Sequence, residues 1–281
     1  MYHTDLTFSN AGMGAIFSAT MVTLETLVLN NTKINNKITP RIIWNLPAYS
    51  ETKDNNENIF DNYFELVGFP AINENSIYTS FPQTNYASYK NPRMPLNQVY
   101  KDHVRVKPII MDKVNAIFKG YENYYILGIH LRNTDKITEP QYLTPGLDKM
   151  LNHLSIAIEE TLKEHSHIVL FVASDNIPDA EFIKIHVKAL FPSLIILEDP
   201  NTIRSPNQTS IHGGADVGLQ GISNAKKAET ILTDIFCLAR CHKVVRTCSN
   251  VTIAAALINS ETIFIDVNKI YGKLTDWIFF C

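Results

Sequence analysis

Residues 127–136 read LGIHLRNTDK, an apolar run that ends abruptly in a histidine, an arginine, an asparagine, a threonine and an Asp-Lys pair. Side chains alternate along a strand, so Ile129 and Leu131 would point to one face and His130 and Arg132 to the other. A guanidinium at a strand end can grip a phosphate through two parallel N–H donors, and a neighbouring imidazole can hydrogen-bond a base or a sugar. Asp135, Lys136 and Glu139 follow within a few residues. The same string also describes a strand that leaves the core and exposes ordinary charges in a turn. The pattern by itself leaves both readings open.

Other polar residues stand at comparable positions. Thr247, Cys248, Ser249 and Asn250 precede the apolar stretch 251–258, so Ser249 or Asn250 is a natural helix N-cap. A hydroxyl, an amide and helix N-terminal N–H groups together make an anion seat, or they simply cap the helix. Asp175 closes the apolar run 168–173. Asp234 interrupts the apolar segment ILTDIFCLARC, where a partly buried carboxylate needs a partner. The paired N–H donors of a guanine would serve, and so would a salt bridge or an exposed face. Gly12 and Gly14, in AGMG, would let the backbone approach a ligand, although the full G-x-G-x-x-G fingerprint is missing. Cys237, Cys241, His242 and Cys248 lie close in sequence but lack a C-x2-C knuckle, so they read as small buried thiols and no metal is expected.

These residues need elements to position them. The glycine pair is followed by apolar residues at helical spacing over 15–29, which predicts a strand, a glycine loop and a helix at the start of the chain. RIIWNL at 41–46 is a short β-type run, 56–67 predicts a helix, 68–95 reads as a long irregular loop rich in Pro, Asn, Ser and Tyr, and 108–118 returns to helical spacing. From 124 onwards apolar strands alternate with helices: strands at 124–131, 168–173, 194–197, 243–246 and 262–265, helices at 147–163, 180–190, 225–241 and 251–258. Continuous apolar strands separated by helices predict a parallel sheet covered on both faces, a Rossmann-type arrangement that binds ligands at the carboxyl ends of its strands. That edge is where His130, Arg132, Asp175 and Thr247 to Asn250 fall. A Gly-rich loop, 211–221, precedes one of the helices.

Composition narrows the partners. A chain of 281 residues with 45% hydrophobic residues can bury a sizeable core, as one large domain or as two of about 130–140 residues. A net charge of −3 and a pI near 6.3 provide no global field for a nucleic acid or an anionic membrane, so an anion would have to be held locally. The four cysteines are too few and too bunched for a disulfide framework. No signal-peptide pattern opens the chain, and the longest mostly apolar stretches, such as 168–173 and 252–258, are too short to span a bilayer. A cytoplasmic protein without a transmembrane segment is expected. Sequons at Asn30, Asn207 and Asn250 say little in that setting.

HLRNTDK at 130–136 resembles the H-x-R-x-x-D-(K) motif of the fucosyltransferase superfamily that includes the core α1,6 and the nodulation enzymes. LFVASDN at 170–176 is similar to that family's second strand, and TDIFCLARCHKVVRTCSN at 233–250 to its Asp-containing helix, following strand and donor loop. The resemblance implies a GT-B-like α/β fold of two Rossmann-type domains facing across a cleft, with 1–120 on the acceptor side and 121–281 holding the GDP-sugar. It implies an inverting, metal-independent glycosyltransferase that moves a sugar, fucose first, from GDP-fucose to a hydroxyl of a glycan acceptor without a cofactor. By position, Arg132 would hold the donor β-phosphate, His130 and Asp234 would contact guanosine, and Ser249 with Asn250 would line the pyrophosphate loop. Asp175, Gly12 and Gly14 would face the donor. Glu139 is the first candidate for the base, assisted by Lys136, with Asp135 second. The sequence departs from the family at Asn133, where a second arginine is common, and at Glu139, which stands one residue closer to Lys136. A relative that uses another nucleotide sugar, and a catalytically silent nucleotide-binding protein, are the alternatives. Tyr78, Tyr86 and Tyr89 would offer sugar-stacking faces or pack the loop onto its own domain.

Overall fold

The computed structural model describes residues 2–9, 11–33, 37–51, 57–82, 93–132, 146–206, 221–247 and 249–267. Asp135, Lys136, Glu139, Tyr86, Tyr89, Cys248 and almost all of the 211–221 loop therefore lie outside the described residues.

The chain opens with strand β1 (Tyr2–Ser9), helix α1 (Met13–Asn31) and strand β2 (Ile38–Asn45), with β1 and β2 paired in parallel. Thr4, Leu6 and Phe8 of β1 are buried in period-two alternation, as a strand with one covered face requires. Trp44 of β2 is fully buried; its indole N–H donates to Thr20 Oγ1 of α1 at 2.9 Å, and its ring meets Phe60 and Phe64 edge-on at 5.3 Å. Ser18 and Thr20 donate back to the Gly14 and Ile16 carbonyls, which lets a buried helix carry hydroxyls.

Helix α1 modifies the bilayer expectation. Its 19 residues make it long and apolar enough to cross a membrane by length and composition, but 72% of that apolar window is buried inside the protein. Its hydrophobicity serves the core.

The helix predicted at 56–67 is only half formed. Helix α2 covers Ile59–Tyr63, and Phe64–Leu66 becomes strand β3. Phe64 turns inwards while Glu65 stays exposed, and this alternation pairs antiparallel with β5 (Val104–Val106). Within 68–95, strand β4 (Ile77–Tyr78) runs parallel to β1, giving the order β2-β1-β4. Helix α3 (Arg93–His103) starts inside the last residues of the predicted loop, runs on through a stretch for which the sequence predicts no element, and is followed by α4 (Pro108–Ile117). Buried Asn97 explains part of α3's place: its amide donates to the Leu257 and Ile258 carbonyls, which the end of a later helix leaves unsatisfied.

The second half follows the alternation of the sequence closely. Its elements are β6 (Tyr125–Leu131), α5 (Leu147–Glu164), β7 (Ile168–Ser174), α6 (Ile177–Leu190), β8 (Ile195–Leu197), α7 (Asn224–Arg240), β9 (Lys243–Arg246), α8 (Asn250–Ile258) and β10 (Ile263–Asp266). The five strands are all parallel in the order β10-β9-β6-β7-β8. Leu127, Ile129 and Leu131 face a cluster built on α5 and α6, while Ile126, Val169 and Phe171 join the opposite face. That opposite cluster also takes in Trp44, Phe17, Phe64 and residues of α3, α4, α7 and α8, so hydrophobic packing runs without a break from the first sheet to the second.

Candidate functional site

The strand order fixes where a site should form. From β6 the chain winds outwards through β7 and β8, then crosses back to lay β9 and β10 on the other side of β6. Connections leave β6 and β9 in opposite directions, which opens a crevice beyond their carboxyl ends, the usual ligand position in such sheets.

His130, next to last in β6, lies on the face opposite Ile129 and Leu131, buried at 5% exposure. Its Nδ1 lies 3.5 Å from Ser249 Oγ, and its carbonyl accepts from the Thr247 N–H at 3.3 Å. Burial, then the positive charges of Arg132 and Arg246, pull its pKa down from 6.5 to about 3. The imidazole is neutral at physiological pH and works here as a hydrogen-bonding group. Arg132 stands two residues on, just past the end of β6, and is half-buried.

Across the crevice Ser249 caps α8: its hydroxyl accepts from the Thr252 N–H at 3.4 Å, and Thr252 Oγ1 donates to the Ser249 carbonyl at 2.9 Å. The first turn of α8, starting at Asn250, thus presents its N–H end beside His130, whose pKa also feels the charge of Arg132. Gly14 belongs to the same place. A Cβ added there would come within 2.5 Å of the Asn250 carbonyl oxygen, so the glycine lets α1 and α8 touch backbone to backbone at their N-terminal ends. Gly12 is the N-cap of α1 with ordinary extended backbone (φ −68°, ψ 156°).

A second polar group sits one strand away. Asp175 follows β7, and Asn176 caps α6 by accepting from the Asp179 N–H at 2.8 Å. The Asp175 carbonyl accepts from Ser205 N at 2.9 Å, tying down the segment that carries Arg204. Arg204 donates to Glu198 at 2.7 Å and to the Val172 carbonyl at 3.3 Å. Asp234 of α7 belongs to this group electrostatically. Burial pushes its pKa from 3.8 up to about 7; Arg204 pulls it down, and Asp199 and Asp175 push it up.

The structure therefore sorts the sequence candidates. It brings His130, Arg132, Ser249, Asn250 and Gly14 to one corner and Asp175 and Asp234 to the next. Arg246, Arg204 and Asp199 are additions. Arg246 carries the same strand-end signal as Arg132, since it closes KVVR, while Arg204 and Asp199 stand in a segment with no readable period. Cys237 and Cys241 are core thiols: Cys241 Sγ donates to the Cys237 carbonyl at 3.3 Å and fills the notch left by Gly128, where a Cβ would meet that sulfur at 2.8 Å. Among the described residues no three His, Cys, Asp or Glu side chains are grouped as a metal site.

No protein-family model and no curated protein sequence matches the chain. Solved structures do. The fucosyltransferase NodZ from Bradyrhizobium superposes with a TM-score of 0.53 at 15% identity, covering 96% of this chain and 97% of that one. NodZ α-1,6-fucosyltransferase soaked with GDP-fucose gives 0.52 at 13% identity over 92% of each chain, and the same enzyme with GDP gives 0.50 at 14%. The fold is that of NodZ. Identity this low carries the mixed α/β, GT-B-like architecture with its parallel sheets and nothing finer.

Proposed function

We propose that this chain is a glycosyltransferase that moves fucose from GDP-fucose to a hydroxyl of a glycan acceptor. The observation that carries the proposal is the pair of corners at the switch point of a NodZ-like fold. One corner joins a guanidinium to a helix N-terminus, which suits a diphosphate. The other, one strand away, holds Asp234 and Asp175, which suit the N–H donors of a guanine. A guanosine diphosphate is the ligand whose two ends match both.

In this reading Arg132 holds the β-phosphate, Ser249 and Asn250 line the pyrophosphate, and His130 and Asp234 contact guanosine with Asp175 beside them. Gly12 and Gly14 bring the start of α1 to the same crevice. The acceptor oxygen attacks the sugar C1, the bond from C1 to the phosphate oxygen breaks, and GDP leaves with the electron pair. Its growing negative charge is met by Arg132 and the N–H groups of α8, which take the part a metal would play. A base among Asp135, Lys136 and Glu139, with Glu139 first, takes the acceptor proton. Inversion at C1 follows the family resemblance, as does the division into an acceptor side at 1–120 and a donor side at 121–281. The setting is read as cytoplasmic.

Incubation with GDP-fucose and candidate glycans, with GDP release as the readout, tests this. Acceptor-dependent release is expected. Release from another nucleotide sugar alone would replace the donor, and GDP binding without release from any donor would make the chain a silent binder.

A further inference from the structure

Arg246 is 0% exposed, the most completely buried charge among the described residues, at the end of β9 in register with His130. A guanidinium held in a protein interior costs several kcal/mol unless it is paired, and a strand reading KVVR would pack as well with an apolar fourth residue. Its partners show what it is held for. NH1 donates to Thr252 Oγ1 in the first turn of α8 at 3.2 Å, and that hydroxyl donates onwards to the Ser249 carbonyl at 2.9 Å. Ser249 Oγ in turn lies 3.5 Å from His130 Nδ1. On the other side NH2 is 3.5 Å from Asp266 of β10, and the guanidinium carbon lies 4.9 Å over the Phe264 ring. The ion pair is thus a dipole across the sheet edge, with its positive end against the α8 turn and its negative end on β10.

We infer that Arg246 is a positioning residue of the donor site: buried beneath the first turn of α8, it supplies a fixed positive field for a diphosphate, and Asp266 tempers it. The inference rests on the GDP-sugar reading. Being buried, Arg246 does not touch the ligand. It acts by orienting Thr252 and Ser249 and by adding its charge to that of Arg132 and the helix N-terminus, where low dielectric makes charge count most.

The discriminating ligands are GDP, which carries the charge, and guanosine, which does not. Calorimetric titration of the full chain is expected to show Arg246→Met weakening GDP about tenfold while guanosine stays within about twofold, with Arg246→Lys recovering most of the loss. Asp266→Asn removes the opposing charge and is expected to tighten GDP about two- to threefold. A common structural defect would move GDP and guanosine together, would leave lysine no better than methionine, and would make Asp266→Asn weaken GDP; each of these overturns the inference. Should Arg246→Met not fold, the sign of the Asp266→Asn effect decides. A wild-type chain that binds neither ligand overturns the GDP-sugar reading, and this inference with it. Wild-type binding with GDP affinity unmoved by Arg246→Met overturns this inference alone.

Discussion

The β6–β9 corner and the β7–α7 corner stand one strand apart on the same sheet edge, yet burial drives their ionisable groups in opposite directions. At the first, His130 loses its proton because burial and two arginines all oppose a positive charge. At the second, Asp234 keeps its proton into the neutral range because burial, Asp199 and Asp175 oppose a negative one, and only Arg204 resists. Desolvation pushes both groups towards neutrality, and the sign of the neighbours decides how each corner answers an incoming ligand. In the proposed reading the first corner receives an anion and the second a set of N–H donors.

The largest effect should come from removing the half-buried charge of Arg132 from the anion corner. Arg132→Ala is expected to lower turnover of GDP-fucose by about 10³-fold or more with the fold intact by circular dichroism; near-normal turnover would break the assignment of that corner to phosphate.

The next test exploits the mirror image directly. For His130 the folded pKa lies below the unfolded 6.5, so its contribution to stability is present above 6.5 and lost as pH falls towards about 3. For Asp234 the folded pKa lies above the unfolded 3.8, so its contribution is present below 3.8 and lost as pH rises towards about 7. Between pH 4 and 6.5 the two oppose each other, each worth about 2–4 kcal/mol. Denaturant titrations of Asp234→Asn should therefore show stability rising with pH across that window relative to wild type, and His130→Gln should show it falling. Parallel profiles for the two variants would mean that the corners do not differ in the way described.

Gly14→Ala probes the anion corner sterically. The added methyl meets the Asn250 carbonyl at 2.5 Å, so α1 and α8 must part, at a cost of about 1–3 kcal/mol read as a lowered Tm. GDP affinity should fall with it because Asn250 moves. A smaller shift belongs to the acidic corner: Arg204→Gln removes a cation that lowers the Asp234 pKa, so the pH-dependence of GDP binding should move to higher pH.

Much of the second half is legible because its strands are buried on both faces and hence read as unbroken apolar runs. Boundaries there mostly shift by a single residue; the largest shift is at α6, which starts at Ile177 because Asn176 caps it and Pro178 suits the first turn. The first half is harder. In RMPLNQVYKDH few positions are apolar, and α3 is held partly by Asn97 on α8 carbonyls, a contact made with residues far along the chain. Phe64–Leu66 takes a partner, β5, that local periodicity does not announce. Within the site, His130, Arg132 and Ser249 stand out as polar residues at the ends of apolar runs. Arg246 gives the same signal, but its burial is conferred by Phe264 and α8, which a reading of KVVR does not include. Gly14 is visible as a need for close approach, while the approaching group, a helix backbone, becomes apparent only in three dimensions.

Helix α1 has a consequence for how the chain is made. Its main packing partner, α8, lies near the far end of the described sequence, so during synthesis a membrane-like helix emerges long before the surface that covers it exists. Until α8 arrives, β1, β2, α3 and α7 can shield only part of α1, and the nascent chain carries a partly uncovered apolar rod. Completion of the crevice and concealment of that rod are the same event, because Gly14 and Asn250 meet only when both helices are in place.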